Sequence, residues 1–193
     1  HFGGVTEDEK YFVMFKQPGT DGFSTFYKDL EKGDDFVELF GGFKNKSSVV
    51  HHQNGKFLVQ TDIDAPNYRL IEVDLANPSK ENWKEIIPET TNLLEDVNTG
   101  GGKLFATYLE KATTRIYCSE YDGSSREEIK LPGLGSASGL GGREDNQILF
   151  YTFTSFTYPP TVFKYDVQTG ESSLFRKAEL KFDPDAMETA YFR

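Results

Sequence analysis

Short apolar runs alternate with turn-forming clusters along this 193-residue chain, and four of the runs open in the same way. Lys10 precedes Tyr11-Phe12-Val13-Met14-Phe15, Lys56 precedes Phe57-Leu58-Val59, Lys103 precedes Leu104-Phe105-Ala106, and Gln147 precedes Ile148-Leu149-Phe150-Tyr151. After each come a turn, a second run and an aspartate: Asp29, Asp74, Asp122 and Asp166. The run starts Tyr11, Phe57, Leu104 and Ile148 lie 46, 47 and 44 residues apart, and the aspartates 45, 48 and 44. Two independent markers share one period, in the range of roughly 40–50 residues typical of propeller blades.

The texture of the runs excludes helical repeats of similar length. They are short, rich in β-branched and aromatic residues, and broken by Asp21-Gly22, Asn54-Gly55, Asp122-Gly123 and Thr-Gly turns. Only residues 79–86 and 183–190 have room for a helical turn. The pattern therefore predicts an all-β chain, a partial β-propeller of about four four-stranded antiparallel blades. Their approximate bounds are 1–42, 43–90, 91–133 and 134–178, with 179–193 as a connector leading away. In the first unit the strands are expected at residues 2–6, 10–16, 24–29 and 36–39. A lone sheet of this kind cannot bury both faces, so neighbouring blades must stack. The chain opens directly on a strand and offers no spare strand to complete a last blade, so a piece of a larger ring is expected. Its uncovered apolar faces would pair two copies as a homodimer.

Composition narrows the partners. With 31 acidic against 21 basic residues the net charge is −10, which disfavours nucleic acid and anionic membrane surfaces. The 17 Phe and 10 Tyr suit half-buried pleated surfaces. No run approaches the ~20 apolar residues of a membrane span, and the compartment, cytoplasmic or periplasmic, stays open. The one cysteine, Cys118, lies in an apolar run and reads as a buried, inert thiol.

No catalytic residue is expected in the sequence. No serine has glycine at both −2 and +2, as a nucleophile elbow requires. Gly135-Ser136-Ala137-Ser138-Gly139 reads instead as a small-residue inner strand. His51 and His52 are adjacent, hence on opposite faces of a strand, and read as surface or internally satisfied histidines and not as a metal pair. Asp62 and Asp64 lack the rest of a calcium loop and read as turn acids. Gly100-Gly101-Gly102 precedes a strand, not a helix, and reads as a hairpin turn. The repeated aspartates are expected to accept hydrogen bonds from turn amides. Phe150, Tyr151, Phe153, Phe156 and Tyr158 are expected in the core between blades. Neither a metal nor a cofactor is expected.

Several stretches resemble the propeller of the prolyl oligopeptidase family, the post-proline serine endopeptidases. Ala65-Pro66-Asn67-Tyr68-Arg69-Leu70-Ile71-Glu72-Val73-Asp74, followed by Trp83-Lys84 and Ile87-Pro88-Glu89, is similar to a hairpin of that family. Phe153-Thr154-Ser155-Phe156 is similar to another of its strands, and Gly3-Gly4, Gly19-Thr20-Asp21-Gly22 and the tail from Phe175-Arg176 to Tyr191-Phe192 fit the same pattern. The resemblance covers essentially the whole chain. It implies the last four blades of a seven-bladed ring, a non-catalytic gate and filter over an α/β-hydrolase domain that carries the Ser-His-Asp triad and cleaves short peptides after proline. The partners it implies are that domain, the remaining blades and short peptides. It also implies substrate-facing positions at Phe2, Gln17 and Thr20. Relatives carry arginine and cysteine where this chain has Gln17 and Thr20, so a charged contact at Gln17 is lost. Two other readings are a stand-alone propeller binding a protein or glycan, and the propeller of a related oligopeptidase that cleaves after basic residues.

Overall fold

A computed structural model describes residues 1–33, 35–156 and 158–177. Among the described residues sixteen strands form four four-stranded sheets, each a simple antiparallel meander. The first sheet is β1 (Phe2–Val5), β2 (Tyr11–Lys16), β3 (Ser24–Asp29) and β4 (Val37–Phe40). The second is β5 (Ser47–Gln53), β6 (Lys56–Thr61), β7 (Arg69–Asp74) and β8 (Lys84–Ile87). The third is β9 (Leu93–Gly100), β10 (Lys103–Glu110), β11 (Thr113–Ser119) and β12 (Glu127–Glu128). The fourth is β13 (Ser136–Ser138), β14 (Ile148–Thr154), β15 (Thr161–Asp166) and β16 (Glu171–Arg176). The expected strands of the first unit are met to within a residue at most ends. The helical turn allowed near residue 79 is a 3-10 turn at Lys80–Asn82; the one allowed at 183–190 lies outside the described residues.

The chain forms two compact units, His1–Thr91 and Asn92–Arg193, each holding two sheets. In the first unit Val13 and Phe40 of the first sheet pack on Phe57, Val59, Ile71 and Val73 of the second. In the second unit Phe105 and Ile116 pack on Leu149, Tyr151, Phe153, Phe163 and Tyr165. Alternation explains both cores: β14 reads exposed, buried, exposed, buried from Ile148 to Tyr151, so one face goes inward. Here one expectation is corrected. Tyr151 and Phe153 are buried and Tyr158 packs beside them, but Phe150 is 43% exposed and Phe156 fully so. Phe150 has the outward parity of β14, and Phe156 lies beyond the strand.

The turns follow local chemistry. Gly101 and Gly102 occupy the β9–β10 hairpin with φ of 59° and 75°, and Asn54-Gly55 the β5–β6 hairpin with 52° and 74°. All four repeated aspartates accept turn amides. Asp29 takes those of Glu31 and Lys32, Asp74 that of Ala76, Asp122 that of Ser124, and Asp166 those of Gln168 and Thr169. The marker that revealed the period is thus a repeated side-chain cap on the turn after each sheet's third strand.

Candidate functional site

The three positions implied as substrate-facing lie at one end of the first sheet. Phe2 pairs with Phe15, and Lys16 pairs with Ser24, so the loop 17–23 that carries Gln17 and Thr20 springs from beside Phe2. The Phe2 ring stacks on Phe15 at 4.9 Å between centroids and meets Phe23 edge-on at 6.1 Å. Phe15 and Phe23 complete the trio at 5.2 Å. Phe2 is 54% exposed, and Gln17 and Thr20 are exposed on the loop. The loop is braced from below, where Phe23 N–H donates to Asn45 C=O at 3.0 Å. Gly22 approaches that carbonyl so closely that a Cβ would sit 2.6 Å from it. Phe15 and Phe23 were not singled out in the sequence. The signal for Phe15 was its parity with Val13 and Tyr11 on β2, while Phe23 precedes its strand and follows no period.

This rim offers an open aromatic face beside a side-chain amide and a hydroxyl. Such a surface suits an apolar side chain and the backbone polar groups of an extended peptide. It holds no charged group at Gln17 or Thr20 with which to read a charge.

The groups with reactive chemistry are occupied elsewhere. His51 and His52 follow a bulge in β5 and pair with Leu58 and Phe57 on successive positions, hence on opposite faces. Both are buried, which corrects the surface alternative. His52 Nδ1 donates to Asp8 Oδ2 at 2.6 Å, and Nε2 accepts the Gly55 N–H at 3.2 Å. With both nitrogens engaged, the ring serves as a clasp between the β1–β2 turn and the β5–β6 hairpin and not as a base. Asp62 accepts the Lys46 amide at 2.7 Å and Asp64 pairs with Lys80, so both act within loops. Burial pushes the half-buried Cys118 thiol up, away from the thiolate a nucleophile needs. Ser136–Ser138 forms the strand expected from its small residues, at the edge of the fourth sheet. Among the described residues no three His, Cys, Asp or Glu side chains converge as metal ligands, and no helix is long and apolar enough to cross a membrane.

The clasp predicts an acid effect. Burial by itself would raise the Asp8 carboxyl, but hydrogen bonds from Thr6, His52 and the Lys10 amide outweigh it and hold the carboxyl below its usual value. A carboxyl depressed in the fold stabilises it while ionised. That contribution is present above the unfolded value of about 3.9 and is lost as pH falls through the folded one. Asp8→Asn should therefore flatten the loss of stability as pH falls below about 4. Thermal melts followed by emission of Trp83, the single tryptophan and in the same unit, would read this; equal steepness in both proteins would refute it.

Comparison with known proteins adds a family. The model of the prolyl oligopeptidase N-terminal beta-propeller domain matches residues 1–178. The prolyl endopeptidase of Elizabethkingia meningoseptica is 40% identical over 94% of this chain and 26% of its own length. That of Elizabethkingia miricola is 38% identical over 95% of the chain and 26% of its length. A structure from a study of inter-domain dynamics in two prolyl endopeptidases matches with a TM-score of 0.87 at 35% identity, over 95% of this chain and 27% of that one. Prolyl oligopeptidase B of Galerina marginata, bound to a 35mer hydrolysis and macrocyclization substrate, shares the fold at a TM-score of 0.83 and 22% identity, with the same coverage. The chain spans about a quarter of the length of these relatives. Four meander sheets, packed face to face within each unit, and a match along nearly every residue lead to one assignment: the chain belongs to the prolyl oligopeptidase family, within its N-terminal β-propeller domain.

Proposed function

We propose that this chain is the C-terminal half of a seven-bladed propeller, with blades at 1–42, 43–90, 91–133 and 134–178 and residues 179–193 leading to a catalytic α/β-hydrolase domain. It acts as a gate and substrate filter. Short peptides pass to a Ser-His-Asp triad in that domain, which cleaves on the carboxyl side of proline, and folded proteins are held out. The observation that carries this reading is the 40% identity to a prolyl endopeptidase over 94% of the chain. The aromatic rim of Phe2, with Gln17 and Thr20 beside it, is the part that meets substrate. On the fourth sheet, exposed Phe150 lies 4.9 Å from exposed Phe175, and this apolar face supports pairing of two copies when the chain is isolated.

The test uses the full polypeptide that carries this chain and a chromogenic Gly-Pro peptide. Hydrolysis is expected after proline. Phe2→Ala should raise KM several-fold with kcat nearly unchanged, as expected for loss of uniform binding. Cleavage after lysine or arginine in place of proline would overturn the specificity, and an unchanged KM would remove Phe2 from the substrate path.

A further inference from the structure

The fourth sheet sends an aromatic ring into solvent at the end from which its chain departs. Ser136 pairs with Thr154, Phe153 with Thr161, and Val162 with Arg176. The β14–β15 connection and the last residue of β16 therefore lie side by side at one end of the sheet. Phe156 stands on that connection with its side chain fully exposed. A single exposed apolar residue is ordinary on a protein surface, but this one is held in place from both sides.

Ser155 N–H donates to Tyr158 C=O at 2.8 Å, and Tyr158 N–H donates to Ser155 Oγ at 3.0 Å. The Thr154 hydroxyl donates to the same Tyr158 carbonyl at 3.1 Å, and the Thr161 hydroxyl to Pro159 C=O at 2.9 Å. Pro159 and Pro160 fix two further φ angles. Tyr158 turns inward, its ring 5.8 Å from that of Phe153 and packed on the core of the unit. Phe156 is thus displayed on a stiffened turn. An aromatic ring buries about 150–250 Å² when covered, and a preordered loop loses little conformational freedom in being covered. Rigidly presented aromatic side chains of this kind are the anchors around which interfaces form.

Two observations identify what covers the ring. The relatives are about four times as long as this chain, and the propeller model ends at residue 178. In such a polypeptide whatever follows β16 emerges beside Phe156, because Arg176 closes the strand at that end of the sheet. A second copy has a different place to pair, since Phe150 and Phe175 lie on the outward face of the sheet and not on its end.

We propose that Phe156 seats in an apolar pocket of the domain that follows residue 193 and anchors that domain to the propeller beside their covalent connection. This rests on the arrangement proposed above, in which a catalytic domain follows the propeller. An anchor beside the connection fixes the pivot between the two.

Photo-cross-linking on the full polypeptide that carries this chain tests it, with p-benzoylphenylalanine in place of Phe156 and adducts located by peptide mass spectrometry. Adducts are expected on one short stretch beyond residue 193 of the same polypeptide. The same probe in place of Thr169, exposed at the opposite end of the fourth sheet, should give at least tenfold less of them. Adducts confined to residues 1–193, adducts between two copies, adducts scattered over the following domain, or an equal yield from position 169 would each overturn the anchor. Hydrolysis of the Gly-Pro peptide by the parent polypeptide separates the two readings. Adducts without cleavage after proline keep the anchor and remove the proposed activity, and cleavage without adducts does the reverse.

Discussion

Phe57→Ala is expected to destabilise the first unit by about 3–5 kcal/mol, the range for deleting a fully buried aromatic ring. Phe57 has no exposed surface and stands where the two sheets of that unit meet. Its ring is edge-on to Tyr11 at 5.2 Å, Tyr27 at 5.6 Å and His52 at 5.5 Å. Each such pair contributes about 0.5–1.5 kcal/mol beyond burial. The hole would not close readily, because Tyr11 and Tyr27 are fixed by strand pairing and His52 by Asp8. Urea unfolding followed by Trp83 emission measures the effect, since Trp83 packs on Phe40 in the same core at 5.6 Å. At a slope of about 1–3 kcal/mol per molar, the midpoint should fall by at least about 1 M. Phe156→Ala, at a fully exposed ring, is the control and should move it little. A Phe57→Ala midpoint within about 0.3 M of the parent would show that the sheets of this unit are not held through this ring.

Gly135→Ala is expected to cost the second unit about 1–3 kcal/mol by overpacking. A Cβ at this position would lie 2.3 Å from the Thr154 carbonyl and 2.8 Å from the Phe153 ring. The nearest atom is backbone, held in the β13–β14 ladder through Ser136 and Thr154, so it cannot swing aside as a flexible side chain would. Relief requires residue 135 to move, and that strains the bond its carbonyl accepts from Thr114. Hydrogen exchange should therefore quicken first at the Thr114 and Ala137 amides. Unchanged protection at both would mean that the strand edge yields without cost. Gly3 is in a like position in the first sheet, with a Cβ 2.4 Å from the Val13 carbonyl.

Much of this architecture was legible because its causes are local. The repeat announced four sheets and Tyr151 and Phe153 were expected in the core, where they lie, and the Asn54-Gly55 and Gly100-Gly101-Gly102 turns announced their hairpins. Lys111 and Ala112 show the limit. They make the β10–β11 hairpin with φ of 48° and 62°, yet neither is a turn-forming type, so only the paired strands on either side impose that conformation. Phe150 was placed in the core because its run is aromatic throughout, although parity on β14 turns it outward. The Phe2, Phe15 and Phe23 cluster depends on register across two hairpins, of which single positions carry little trace.

The aspartate caps have an evolutionary corollary. Each acid closes a turn formed by its own sheet, so that corner asks nothing of the sheets on either side. A segment whose corner is self-sufficient can be copied in tandem without retuning its neighbours. Duplication then needs only matching apolar faces, and the carboxylate at each corner persists as the hallmark of the copying.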